Sequence, residues 1–425
     1  MDLTASVSER FLRYVSIDTR SSEESGLHPS TPGQFDLARL LEKELEQVAD
    51  DVYFDVEHCY IYAHIRGLET LPRIGFIAHM DTSPEACGAG IKVIRHEDYD
   101  GGDITLPSGK VLSPSEFPEL LDYVGQTILT SDGSTLLGSD DKSGIAEIMT
   151  MASYIHDHPE IRHGDISIAF TPDEEIGEGT EFFDLDRFAA DYAYTVDGGI
   201  IGEISYENFN AAGADITITG RNVHPGEAYG KMINALRVAE EIDGMIPGTE
   251  RPETTREYEG FYHLISLTGS PEQAVMKYII RDHDRSLFEE KKARLVSICN
   301  DVSAGTGAVI KPEIRDSYYN MREKIVPDRM HIVNDCIAAM ERAGINPLIM
   351  PIRGGTDGAM LSYKGLACPN ICAGGHNFHG VYEYVSEQSM GRISELLIEI
   401  VKGAGYEEDQ TGNRLDTHLR AAGIM

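Results

Sequence analysis

The stretch Ile166-Ser167-Ile168-Ala169-Phe170-Thr171-Pro172-Asp173-Glu174-Glu175 decides how this chain is read. An apolar, β-branched run of this length predicts a buried strand, and the proline and acids end it abruptly. In open α/β sheets ligands bind beyond the carboxyl ends of the strands, so paired carboxylates there stand where chemistry is done. Alone, a Glu-Glu pair reads more simply as a solvated acidic turn. Four other apolar runs, however, also end in His or Asp. They are Phe76-Ile77-Ala78-His79-Met80-Asp81, Leu136-Leu137-Gly138-Ser139-Asp140-Asp141, Tyr192-Ala193-Tyr194-Thr195-Val196-Asp197 and the segment bearing His376 and His379 after Ile371. Together these ends predict a metal site.

Composition narrows the function. A chain of 425 residues suits two or three domains with a large core. Its formal net charge of -35 would repel nucleic acid. No apolar stretch approaches the ~20 residues that span a bilayer, so no membrane role is expected. The start, Met1 to Arg10, has no basic segment followed by an apolar core, and six scattered cysteines are too few for a disulfide framework. A reducing cytoplasm is the expected location.

Working outward, the N-terminal third alternates helices and strands. Thr31-Pro32-Gly33-Gln34 reads as a capping box opening a helix whose Leu37, Leu40, Leu41, Leu45 and Val48 share one face. Strands are expected near 52–56, 61–65 and 74–78, and an amphipathic helix after Asp141. This alternation implies an α/β fold with a mainly parallel sheet. Between Phe209 and Tyr319 the order becomes strand 214–223, helix 231–245, strands 262–268 and 275–282, helix 287–302 and strand 308–314. That βαββαβ order predicts a ferredoxin-like domain inserted into the first. The expected division is 1–208, 209–321 and 322–425, with a polar tail beyond Tyr406.

The site residues follow from spacing and chemistry. His79 and Asp81 are two apart at a strand end, and a metal-bound imidazole commonly donates its other N–H to a carboxylate. Asp140 and Asp141 precede a helix, where one of them suits an N-cap. Asp197 before Gly198-Gly199 reads alone as a turn acid, and His379 as a loop histidine. A mixed His and carboxylate set suits zinc or manganese. Two metals ~3.5–4 Å apart need a bridging carboxylate and can share an activated water. Glu174 and Glu175 are adjacent and point different ways, so one can bind metal while the other acts as general base. Spacing does not say which. Asp173 reads as a turn acid.

Three other patterns carry less. Ser139-Asp140-Asp141-Lys142 matches a Ser-x-x-Lys signature, but its Ser-Asp-Asn and Lys-Thr-Gly companions are missing. Cys368, Cys372, His376 and His379 are spaced too closely for a zinc finger, and Ile371 beside Cys372 points to buried strand thiols. No predicted strand is followed by a phosphate-binding glycine loop.

His79-Met80-Asp81-Thr82, Gly138-Ser139-Asp140-Asp141-Lys142, Thr171-Pro172-Asp173-Glu174-Glu175, Val196-Asp197-Gly198-Gly199 and Asn222-Val223-His224-Pro225-Gly226 resemble the two-zinc exopeptidases related to carboxypeptidase G and aminoacylase. Gly260-Phe261-Tyr262-His263, Ile280-Arg281-Asp282, Ser317-Tyr318-Tyr319-Asn320-Met321-Arg322-Glu323 and Pro351-Ile352-Arg353-Gly354-Gly355-Thr356-Asp357-Gly358 resemble, more narrowly, the branch that removes the N-terminal residue of tripeptides. That branch more usually carries Ala where Ser139 stands and Tyr where His376 stands. The resemblance implies two zinc ions, with manganese or cobalt as substitutes. Asp140 would bridge them, with His79 and Asp197 on one and Glu175 and His379 on the other. It further implies Glu174 as general base, Asp81 as orienter of His79 and His224 as oxyanion donor. Arg281, Asn320 and Arg353 would bind substrate, the two arginines holding the terminal carboxylate of a small peptide. The insert would serve as a closing lid and the surface of a homodimer. A dipeptidase or N-acyl amino-acid deacylase of the same family is the nearest alternative, and a catalytically silent metal- or peptide-binding protein a more distant one.

Overall fold

Strand Ile166–Thr171 runs between Tyr60–Ile65 and Ile74–His79 in an eight-stranded sheet. The computed structural model describes residues 2–403, so the tail expected beyond Tyr406 lies outside the described residues. Beyond Ile74–His79 the sheet continues through Tyr192–Gly198, Asn370–Cys372, Glu203–Ser205 and Leu348–Ile349, while Asp51–Asp55 forms the other edge. The central strands Ile166–Thr171, Ile74–His79, Tyr192–Gly198 and Asn370–Cys372 are mutually parallel. Antiparallel pairing is confined to Asp51–Asp55 with Tyr60–Ile65, Tyr60–Ile65 with Ile166–Thr171, and Asn370–Cys372 with Glu203–Ser205. Every residue of Ile166–Thr171 and of Ile74–His79 is buried, which is why these strands read as continuous apolar runs rather than alternating ones.

Ile77, Ala169 and Ala193 pack with Phe183, Phe188, Leu361 and Leu366. Helices Leu3–Val15, Ser139–Asp157 and Glu387–Gly403 pack on one another, and Ser139–Asp157 also lies against the strands Ile74–His79 and Tyr192–Gly198. Truncating one such buried aliphatic side chain to alanine costs about 2–5 kcal/mol. The expected capping box at Thr31 does not form. Helix Gly33–Leu45 has no side-chain cap, because the Gln34 amide is drawn to Asp173, donating from Nε2 at 2.6 Å and accepting from Asp173 N at 3.1 Å.

The chain divides into two compact units, the second made of Glu207–Glu323 and Pro351–Gly355. Its sheet is antiparallel, in the order Phe261–Gly269, Gln273–Asp282, Asn210–Thr219, Val309–Tyr318. With helices Ala235–Met245 and Arg285–Thr306 the chain order is βαββαβ. Ile216, Ile218, Ala239, Ile242, Met276, Ile280, Phe288 and Leu295 fill its core. Several bounds differ from the sequence reading for local reasons. Asn234 caps Leu236 N, so the first helix starts at Ala235 rather than 231. Asp284 caps Leu287 N, so the second starts at Arg285. Pro351–Gly355 joins this unit through main-chain bonds such as Ile352 N to Glu207 O at 2.8 Å.

Candidate active site

The carboxyl ends of the parallel strands converge on one cluster. His79 ends its strand, Asp197 is the penultimate residue of Tyr192–Gly198, and Glu174–Ile176 forms a single 3-10 turn after Ile166–Thr171. Asp140 and Asp141 adopt non-helical angles at the head of Ser139–Asp157. His379 sits at φ 61° in the loop before Tyr384–Ser386, a backbone region that non-glycine residues seldom adopt.

Asp140 lies between two imidazoles. Its Oδ1 is 2.9 Å from His79 Nε2, and its Oδ2 is 3.3 Å from His379 Nε2. Asp197 Oδ1 stands 3.4 Å from the same His79 nitrogen, and Glu175 Oε2 stands 2.9 Å from the same His379 nitrogen. Two donor groups therefore share one carboxylate. Asp141 also lies near His79 and Asp197. Its oxygens are already taken by His79 N and Gly144 N, both at 3.2 Å, so Asp141 caps the helix and Asp140 is the better shared ligand. His376 turns elsewhere, with Nε2 at 2.5 Å from Tyr123 Oη and its ring stacked on Tyr384.

Asp81 is fully buried behind His79. His79 Nδ1 is 3.1 Å from the Asp81 carbonyl oxygen and 3.3 Å from its Oδ1. The same carboxylate accepts from Glu174 N at 3.0 Å and Glu175 N at 3.2 Å. One residue thus positions the histidine and both glutamates.

The electrostatics follow from crowding buried acids. Burial, then repulsion by Asp197, raises Glu174 well above the usual carboxylate range. Burial, then Asp140, pushes Glu175 up to about 8. Burial takes Asp197 to about 6 and Asp357 to about 7, although Thr171 Oγ1 donates to Asp357 Oδ2 at 2.8 Å. Hydrogen bonds from His379 and His79 hold Asp140 below the usual range against its burial. Glu175 Oε1 is buried with no hydrogen-bond partner. Converging carboxylates, two imidazoles and an orphaned oxygen fit a pair of divalent cations, whose charge would relieve this repulsion.

Glu383 is a residue that sequence reasoning missed. Buried, it accepts Leu137 N at 2.6 Å and Gly138 N at 2.9 Å on Oε2, and Ser139 N and Ser139 Oγ, each at 2.6 Å, on Oε1. Asp140 N adds a bond of 3.2 Å. The Ser-x-x-Lys pattern is likewise structural, since Ser139 serves Glu383 and Lys142 Nζ donates to Ile17 O at 2.7 Å.

The remaining expected residues belong to the second unit. His224 is exposed and caps the turn Pro225–Glu227, accepting from Gly226 N at 3.1 Å. Arg281 donates to Arg353 O at 2.9 Å, and its Nε is buried without a partner. The Arg353 guanidinium reaches Glu257 O at 2.5 Å, Glu259 O at 3.2 Å and Thr255 Oγ1 at 3.2 Å. Asn320 is buried, its Oδ1 accepting from Asn208 N at 3.1 Å and Arg322 N at 3.0 Å and its Nδ2 donating to His283 O at 3.1 Å.

The peptidase dimerisation domain family matches residues 206–306. Aminopeptidase PepT from Bacillus cereus shares the fold, with TM-score 0.76 and 20% identity over 95% of this chain and 99% of that one. So does a dinuclear metal-binding peptidase of the M20 family from Bacillus subtilis, with TM-score 0.64 and 15% identity over 94% and 98%. The architecture is that of the M20 peptidases. Peptidase T of Geobacillus kaustophilus is 52% identical over 400 residues, covering 93% of this chain and 97% of the relative. Peptidase T of Alkaliphilus oremlandii is 49% identical over 402 residues, covering 93% and 98%. The chain belongs to the peptidase T family.

Proposed function

We propose that this chain is a metal-dependent aminopeptidase that hydrolyses the N-terminal residue from tripeptides. The observation that carries the reading is Asp140, whose two oxygens face His79 and His379 separately. His79 and Asp197 would hold one cation, Glu175 and His379 the other, and Asp140 both. Zinc suits this donor set, with manganese or cobalt as substitutes. When bound, such a pair supplies Lewis-acid polarisation of the scissile carbonyl and lowers the pKa of water toward ~7.

The chain's own residues do the rest. Glu174 takes the proton of the attacking water and returns it to the leaving amine. Asp81 keeps His79 oriented and the Glu174–Glu175 backbone fixed. Glu383 holds the main chain around Asp140. On the family resemblance, His224 stabilises the oxyanion and Arg281 with Arg353 engages the peptide carboxylate. Residues 209–321 are read as a lid on the family resemblance and as a homodimer surface, the latter supported by the dimerisation-domain match.

Among the described residues no helix is long and apolar enough to cross a membrane. A cytoplasmic site of action accords with the cysteine-poor sequence. A substrate panel read by mass spectrometry tests the proposal. Free-amine tripeptides should lose their first residue while N-acyl amino acids stay intact. Preferred cleavage of blocked amino acids or of dipeptides would transfer the chain to a sister activity.

A further inference from the structure

Asp173, which the proposed reaction does not use, sits beside an imidazole that lacks a partner. It is fully buried at φ 52°, and Ser30 N at 2.6 Å, Ser30 Oγ at 2.5 Å and Gln34 Nε2 at 2.6 Å donate to it. Its Oδ2 also lies 3.5 Å from His28 Nδ1, and Glu178 Oε2 lies 3.9 Å from the same nitrogen. Only 10% of the His28 side chain is exposed, and both ring nitrogens are shut off from solvent with no hydrogen bond. Tyr60 stacks on the ring and Phe182 meets it edge-on. Leaving a buried polar atom unpaired costs about 1–3 kcal/mol, so this imidazole calls for a partner.

The spacing indicates what kind. A direct N–H···O bond would close to ~2.7–3.2 Å. Ligands of a tetrahedral ion with bonds of ~2.0–2.2 Å stand roughly 3.3–3.6 Å apart, which the 3.5 Å between His28 and Asp173 meets, with Glu178 slightly further out at 3.9 Å. The three donor atoms all lie within 4.8 Å of one another. Ser30 and Gln34 hold Asp173 as outer hydrogen bonds hold a ligating carboxylate.

We propose that His28 Nδ1, Asp173 Oδ2 and Glu178 Oε2 form a third cation site for a divalent transition ion such as zinc. Glu178, 46% exposed, opens the site to solvent, so water completes the coordination. The ion ties the segment around His28 to the turn Asp173–Glu178, which carries Glu174 and Glu175, and its role is structural.

Zinc itself is the probe. The full chain, His28→Ala and Glu178→Gln are dialysed to equilibrium against buffered zinc with competing magnesium, and bound zinc is measured by plasma mass spectrometry. Each variant should hold one equivalent fewer than the native chain. Zinc should also raise the Tm of the native chain more than that of either variant. Equal zinc content in all three chains would overturn the proposal and leave only an ion pair at His28. Glu178→Gln, at a half-exposed position, decides the matter if His28→Ala fails to fold. The readout is a difference between chains, so it does not depend on how many ions the active site holds.

Discussion

Asp81 accepts the backbone N–H of Glu174 at 3.0 Å, so the residue behind the histidine also fixes the glutamate read as general base. Its second oxygen does the same for Glu175 at 3.2 Å. Asp81→Asn replaces one acceptor with a donor facing an N–H. We expect metal affinity or turnover to fall by about 10–100-fold, the usual cost of losing a ligand's outer partner. Chelator competition and kcat measure the two separately. A variant with native values in both would show that the turn holds itself.

Glu383 gathers four main-chain N–H groups from Leu137 to Asp140. In Glu383→Gln an amide NH2 must face some of these donors. Hydrogen bonds to buried charge are costly to lose, so stability should drop by about 2–4 kcal/mol. Urea denaturation reads this directly, and an unchanged midpoint contradicts it. Zinc affinity should fall as well, because Asp140 is held by the same carboxylate.

Much of the fold was legible because the central strands are buried on both faces and end in acids or histidine. The βαββαβ order of the second unit was legible from alternating runs alone. What escaped was set by distant partners. Glu383 is one acid in a turn, and its donors lie 243 to 246 residues away along the chain. Asp173 read as a turn acid, yet Ser30 and Gln34 bury it from 143 and 139 residues away. Pro351–Gly355 is too short to carry a periodic pattern, so its place in the second unit was invisible.

Metal uptake should release protons. Bonds to Asp140 and Glu175 raise His379 to about 11. Burial pulls His79 down, but Asp197, Asp140 and Asp81 carry it well above its ordinary value. Both imidazoles are therefore protonated at neutral pH when only carboxylates face them. A cation binds the deprotonated ring, so binding must displace these protons and affinity must weaken as pH falls. Calorimetric titration with zinc in two buffers of different ionisation enthalpy measures the release. Identical heats in both buffers would contradict it.

The most direct test of the central claim is Glu174→Ala, assayed for bound zinc and for tripeptide cleavage on the same sample. Glu174 holds no cation in this account and moves the proton. The variant should therefore bind as much zinc as the native chain while turnover falls by about 10²–10⁴-fold. Native turnover in a fully loaded variant, or loss of zinc along with activity, would contradict the division of labour between Glu174 and Glu175.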